Sequence, residues 1–450
     1  MTGSAPSPVG IGPDLAGALE RRARQSQRDW RAPGLIAGVV RDGSLVWSCG
    51  VGAADLSVPE RALGADTAFA IGSVTKTFTA SLIMMLRDAG RLSLADRLDA
   101  HLPGVPHGAV TLREMLAHAS GLQREPAGQA WDELAMPSIE ELLAHLDQAE
   151  QVLPARRRWH YSNLAFALLG EVVARVEGRP WADALRARLL EPLGMTATTL
   201  APPVGRAVGY YADPFADRAQ VEPWPDMAAF CSAGGLWSTL SDLGRWASFL
   251  ATGADGVLSA DTLEEMSRPE IMVDLDGWTE AWGLGLELFR SGERVMVGHG
   301  GAMPGFLTGL AVRRRERVGA IVAVNSSAGA DPAALAVELV GAMLDREPPP
   351  VPPWRPGPPV PAALEPLLGQ WWSEGSPFTF SVRQGHLEAR ADAAPDKAPA
   401  VFEQVAEDRF RVRSGREEGE LLFVERGPDG AVTRMFWAGS AVTHHPQAFG

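Results

Sequence analysis

The chain has 450 residues, 46% of them hydrophobic, which allows two or more domains and a large core. A net charge of −14 without a basic stripe argues against a nucleic-acid partner. Two cysteines, Cys49 and Cys231, make no disulfide framework, and no apolar run is long enough for a membrane span.

In chain order, residues 1–30 lack a charged start followed by an apolar block, so no signal peptide is expected and the expected location is cytoplasmic. Residues 35–40 and 44–48 read as a hairpin turning at Asp42-Gly43. A helical pattern starts at Ser73, runs through Phe78, Leu82, Met85 and Leu86, and stops at Gly90. Another covers 164–176. Helices and loops are expected from 73 to about 290, then strands near 295 and at 318–324, then a covering helix at 331–344. Residues 348–361 hold nine prolines, a stiff linker that cannot join a packed core. Beyond it, Phe378, Phe380 and Val382 alternate, as do Phe410 with Val412 and Leu422 with Val424; turns fall at Gln384-Gly385 and Pro428-Asp429-Gly430. Short alternating strands of this kind suggest an antiparallel barrel.

The chemistry concentrates at Ser73-Val74-Thr75-Lys76. Only two lysines occur, Lys76 and Lys397, against 39 arginines. Composition alone gives about 0.1 Ser-x-x-Lys by chance. Arginine keeps its proton, whereas a buried lysine can lose it near neutral pH, as a base beside a serine nucleophile must. Positions i and i+3 share a helix face, so Ser73 Oγ and Lys76 Nζ can meet. Phe69, Ile71, Val74 and Phe78 surround the pair, and such desolvation lowers a lysine pKa.

Two later segments extend this. Trp159-His160-Tyr161-Ser162-Asn163 opens the second helix, and Gly298-His299-Gly300-Gly301-Ala302-Met303 precedes the apolar strand that ends at Asn325. The order Ser-x-x-Lys, Tyr-x-Asn, His-Gly-Gly resembles the serine β-lactamase and penicillin-binding protein superfamily, on the branch of class C β-lactamases, DD-peptidases and D-aminopeptidases. Thr111-Leu112-Arg113-Glu114, His118-Ala119-Ser120-Gly121-Leu122 and Pro192-Leu193-Gly194-Met195 fit the same resemblance. It implies an α+β fold: an antiparallel sheet flanked by helices, with a helical subdomain, in residues 15–346. A linker at 347–363 and a lipocalin-like β-barrel at 364–450 would follow.

By that resemblance Ser73 is the nucleophile of an acyl-enzyme and Lys76 its base, or the charge that holds Tyr161 as phenolate. Tyr161 would act as base or acid in the second step, and Asn163 would offer its amide to Lys76 or to the substrate carbonyl. The backbone N–H groups of Ser73 and Ala302 would form an oxyanion hole, with His299, Gly300 and Gly301 alongside. His-Gly-Gly in place of Lys-Thr-Gly weakens the case for penicillin hydrolysis, because histidine is only partly charged and Gly300 brings no hydroxyl.

The implied function is a penicillin-binding-protein-type thioesterase that releases and cyclises a non-ribosomal peptide. Its substrate would be a peptide acyl group on a carrier protein or a small thiol. The alternatives are a D-aminopeptidase-like amidohydrolase, a family VIII-type esterase, or a non-catalytic binding protein. No Gly-x-Ser-x-Gly, His-Glu-x-x-His, phosphate loop or dinucleotide fingerprint occurs. No cofactor or metal is expected, since the adjacent His444 and His445 would point to opposite strand faces.

Overall fold

A computed structural model describes residues 10–327, 329–351, 353–373 and 375–447. Residues 1–9, on which the expectation about a leader partly rests, lie outside them. The chain divides into two compact units, 1–349 and 350–450.

The larger unit starts with α1 (Pro13–Asp29), which the apolar patterning did not signal, and continues into the hairpin β1 (Gly34–Arg41) and β2 (Ser44–Gly52). Asp42 and Gly43 both take positive φ, 48° and 85°, as a tight turn between twisted strands requires. Helix α2 (Thr75–Asp88) follows a single 3-10 turn at Gly72–Val74, and α3 (Asn163–Glu177) ends at Gly178 with φ 69°. Next come α4 (Leu240–Thr252) and five consecutive strands: β3 (Ile271–Met272), β4 (Glu280–Trp282), β5 (Glu287–Ser291), β6 (Arg294–Met303) and β7 (Phe306–Arg313). β8 (Val318–Val324) and α5 (Pro332–Arg346), capped by the Asp331 carboxylate, close the unit.

The eight strands form one antiparallel sheet in the order β2-β1-β8-β7-β6-β5-β4-β3. Its centre is covered on both faces, which is why β1 and β8 read as unbroken apolar runs. Leu35, Ala37, Val39, Ala320, Val322 and Val324 pack with Leu15 and Leu19 of α1 and Leu335 and Leu339 of α5. Ile36, Val40, Ile321 and Ala323 face the other way, into a core shared with α2, α3 and α4. The sequence reading placed helices and loops up to about 290. Instead β3, β4 and β5 extend the sheet: short, polar edge strands carry too little periodicity to stand out.

Helix α2 runs through this second core and is buried along most of its length. Its hydroxyls are satisfied locally or by neighbours. Thr77 Oγ1 donates to the Val74 carbonyl (2.7 Å), Ser81 to that of Thr77 (2.8 Å) and Thr79 to that of Ser232 (2.7 Å).

The smaller unit is a closed antiparallel barrel of eight strands, β9 (Gly369–Ser373), β10 (Ser376–Arg383), β11 (His386–Ala391), β12 (Ala400–Ala406), β13 (Arg409–Ser414), β14 (Leu421–Arg426), β15 (Val432–Trp437) and β16 (Ser440–Thr443). Pairing of Trp372 with Thr443 and Ser373 with Val442 closes the ring and removes the free edges. Trp371, Phe380, Leu387, Phe402, Phe410 and Trp437 fill its interior. His444 lies over Trp371, ring centroids 3.8 Å apart. No helix among the described residues is long and apolar enough to cross a membrane.

Candidate active site

Ser73 sits in the 3-10 turn that leads into α2, and Lys76 in the first turn of that helix. Their contact follows from the i, i+3 spacing: Nζ lies 3.0 Å from Ser73 Oγ and donates to the Ala233 carbonyl at 2.7 Å. Lys76 has no exposed surface. Burial drives its pKa well below the ordinary lysine value; Arg124 pushes in the same direction and Glu125 against it. The ammonium form is therefore disfavoured where a neutral base is useful.

Strand β6 comes against the Ser73 turn so closely that two glycines are obligatory. Gly72 has φ 50°, and a Cβ there would meet the Ala302 nitrogen at 2.6 Å. A Cβ on Gly301 would meet the Ile71 carbonyl at 2.1 Å. This packing sets the Ala302 backbone beside the serine turn. The His-Gly-Gly motif thus lies within strand β6.

Tyr161 immediately precedes Ser162, whose hydroxyl caps α3 by accepting from Ala165 N (3.0 Å). Lys76 Nζ is 5.0 Å from the Tyr161 ring centroid. Burial raises the Tyr161 pKa, with Ser73 and Arg124 opposing, so the phenol keeps its proton.

His118 lies beneath Tyr161, centroids 4.2 Å apart and stacked, and its Nδ1 accepts from Ser162 N at 3.0 Å. The segment after it supplies Arg124, whose guanidinium is 5.0 Å from the Tyr161 centroid on a ring that Lys76 also approaches. Glu125 follows directly. Asn163 is placed differently from expectation: its amide donates to Glu125 Oε1 at 2.6 Å, while Lys76 Nζ bonds Ser73 Oγ and the Ala233 carbonyl. The cause is local, because the backbone N–H of Asn163 bonds the Arg124 carbonyl (2.8 Å) and sets the two segments side by side.

His299 is 2% exposed and donates from Nδ1 to the Gly300 carbonyl at 2.5 Å. Burial, then Lys76, lower its pKa to about 3, so it is neutral at physiological pH. Glu287 Oε2 accepts from Gly300 N at 3.2 Å, and burial raises its carboxyl to about 8, with Glu280 and Asp331 adding to the rise. These groups and Ser73, Tyr161, Gly300, Gly301 and Ala302 line one cavity of about 330 Å³. Cavities of about 500 and 450 Å³ elsewhere in the unit are larger but contain neither Ser73 nor Tyr161, so volume alone does not mark the chemistry.

The Beta-lactamase family model matches residues 19–342. The chain belongs to the β-lactamase family of serine hydrolases. A second family, described as a domain of unknown function (DUF7586), matches residues 360–444. Beta-lactamase-like protein 2 of Dictyostelium discoideum is 27% identical over 321 residues, 66% of this chain, and the match spans only 56% of that protein. The D-aminopeptidase of Brucella melitensis biotype 2 is 26% identical over 430 residues, 91% of this chain and 77% of that protein.

Among solved structures, an octameric penicillin-binding protein homologue from Pyrococcus abyssi shares the fold. Its TM-score is 0.65 at 21% identity, over 95% of this chain and 99% of that one. A D-stereospecific amidohydrolase from Streptomyces sp. is similar at TM-score 0.62 and 25% identity, over 73% of this chain and 98% of that one. SurE with D-Leu is similar at 0.58 and 25%, over 97% and 100%.

The motif residues Ser73, Lys76, Tyr161 and His299 thus converge, and Asn163 bonds Glu125, whose neighbour Arg124 lies over the Tyr161 ring. The sequence reading missed His118 as a support for Tyr161, and it missed Arg124, Glu125, Trp282 and Glu287. In the sequence, His118-Ala119-Ser120-Gly121-Leu122 signals only the family resemblance. The signal available was its continuation into the adjacent opposite charges Arg124-Glu125. The exposed run Arg156-Arg157-Arg158 does not line the cavity.

Proposed function

We propose that this chain is a serine acyl-enzyme hydrolase of D-configured aminoacyl or peptidyl substrates, with Ser73 as nucleophile. The observation that carries the reading is the 3.0 Å approach of Ser73 Oγ, from a residue that lines the cavity, to a fully buried Lys76 Nζ. Neutral Lys76 accepts the Ser73 proton as Oγ attacks the acyl carbonyl. The Ser73 and Ala302 N–H groups stabilise the oxyanion. Tyr161, held as a phenol, protonates the leaving group, then takes a proton from the water that attacks the ester; the ester C–O bond breaks as the Lys76 ammonium returns its proton to Ser73 Oγ. The D-preference draws on the similar D-aminopeptidase and D-stereospecific amidohydrolase.

The test is a matched pair of D- and L-phenylalanine thioesters, with intact-mass analysis of the protein. The D form should be turned over faster and leave a transient adduct on Ser73. Equal kcat/KM for both forms, or an adduct on another residue, would overturn the reading.

A second reading passes the acyl group to an amine, as in the cyclising thioesterase that the motifs resemble. The acceptor-rich wall of Glu280, Glu287 and Asp331 favours it. A peptidyl thioester with a free N-terminal amine would then give mostly cyclic product, and mostly linear acid across several peptides would reject it.

A further inference from the structure

We propose that Glu280, Glu287, Asp331 and His299 form a recognition site for a primary ammonium group beside the Ser73 acyl ester. This deepens the acyl-enzyme reading and rests on it. Chain topology makes the site from three places. Glu280 and Trp282 alternate along β4, and Glu287 of β5 stands opposite Trp282 in the ladder. Across its other edge, Glu287 pairs with Gly298 of β6, two residues before Gly300. Asp331 reaches the same cavity from the N-terminus of α5.

The chemistry of the wall is one-sided. Among the described residues, no lysine or arginine forms an ion pair with Glu280, Glu287 or Asp331. Arg124, the basic side chain that lines the cavity, pairs with Glu125 instead. Glu280 lies near enough to Glu287 to disfavour its ionised form, as a crowded carboxyl does when no cation separates the two.

His299 is a second observation, independent of the carboxylates. It is 2% exposed, its Nδ1–H is committed to the Gly300 carbonyl, and no protein donor among the described residues reaches Nε2. In that tautomer Nε2 is an acceptor, on a ring that lines the cavity. Three carboxyls and a neutral imidazole therefore present acceptors to one space. A primary ammonium supplies three N–H donors and the missing charge, whereas a carboxylate would be repelled.

Two sources share this chemistry: the α-amine of the acyl donor, and an incoming amine that later attacks the ester. The experiment uses the full chain and a D-phenylalanine thioester, free or N-acetylated, with and without glycinamide. If the site reads the donor, wild type should prefer the free amine at least tenfold in kcat/KM, and Glu287→Gln and Glu280→Gln should bring that ratio toward one. If it reads the acceptor, the ratio is near one. The yield of D-phenylalanyl-glycinamide should then saturate with glycinamide, and the variants should lose saturation.

Should a glutamine variant fail to fold, Asp331→Asn reads the same ratios, because asparagine caps a helix as aspartate does. No amine preference in either arm, or a preference equal in wild type and variants, overturns the proposal. Fluorophosphonate labelling of wild-type Ser73 reports separately on the nucleophile. Its absence would reject the acyl-enzyme reading itself.

Discussion

Around Ser73 the larger unit buries Lys76, His118 and His299, each below 3% exposure, and leaves His118 Nε2, Trp159 Nε1 and Trp282 Nε1 without partners. The barrel buries no titratable side chain among its described residues, although Trp437 Nε1 also lacks a partner there. Its interior is Trp371, Phe380, Leu387, Phe402, Phe410, Met435 and Trp437, and the Trp371 indole donates to the Leu367 carbonyl at 2.9 Å. The barrel's interior is spent on stability, whereas the larger unit gives up some stability to hold titratable groups in low dielectric. Buried polar groups are costly unless paired, so they persist where function needs them. Small barrels are filled by side chains in this way, and an interior so filled leaves little room for a ligand.

The contrast can be broken most decisively at Ser73, the proposed nucleophile. Ser73→Ala should lower turnover on the order of 10⁴-fold or more with the fold intact. Intact-mass analysis after a fluorophosphonate should show an adduct on Ser73 in the wild type and none in the variant. Activity retained by the variant would remove the polar site from the comparison.

Lys76→Arg comes next and should fail almost as badly as Lys76→Ala, because a guanidinium keeps its proton. Retention of more than about a tenth of wild-type kcat, a barrier change under about 1.4 kcal/mol, would reduce Lys76 to a positioning charge. Steady-state kinetics on the same thioester decides it.

On the barrel side, Phe380→Ala removes a ring that is 1% exposed. It should cost about 3–5 kcal/mol of barrel stability, read as a lower denaturant midpoint with the Ser73 labelling rate unchanged. A small cost would mean that the interior is loosely packed.

The smallest effect sharpens the comparison through pH. The folded pKa of Lys76 lies well below its ordinary value of 10.5, so between the two the unfolded chain binds a proton that the folded chain does not. Stability therefore rises with pH across that window, by up to about 1.4 kcal/mol per pH unit. Lys76→Met should remove this slope and stabilise the protein at the acidic end of the window. Denaturant titrations of both proteins at several pH values check it, and parallel profiles would show that Lys76 keeps its proton when folded.

The sequence by itself determined what depends on near neighbours along the chain. Ser73 and Lys76 had to meet because one helical turn separates them. The Asp42-Gly43 hairpin and the period-two strands of the barrel follow from local φ, ψ and pleat geometry in the same way. The order of three motifs carried the family, and with it the approach of Tyr161 and His299 to Ser73, which spacing could not supply. Only the tertiary structure decided the rest. Glu287 faces Gly300 through the β5–β6 ladder, Asp331 arrives from another helix, and the close pairing of segments 118–125 and 159–164 turns Asn163 to Glu125. Those contacts depend on strand register and on the packing of distant elements, and a short polar strand such as Glu280–Trp282 has no periodic signal to announce either one.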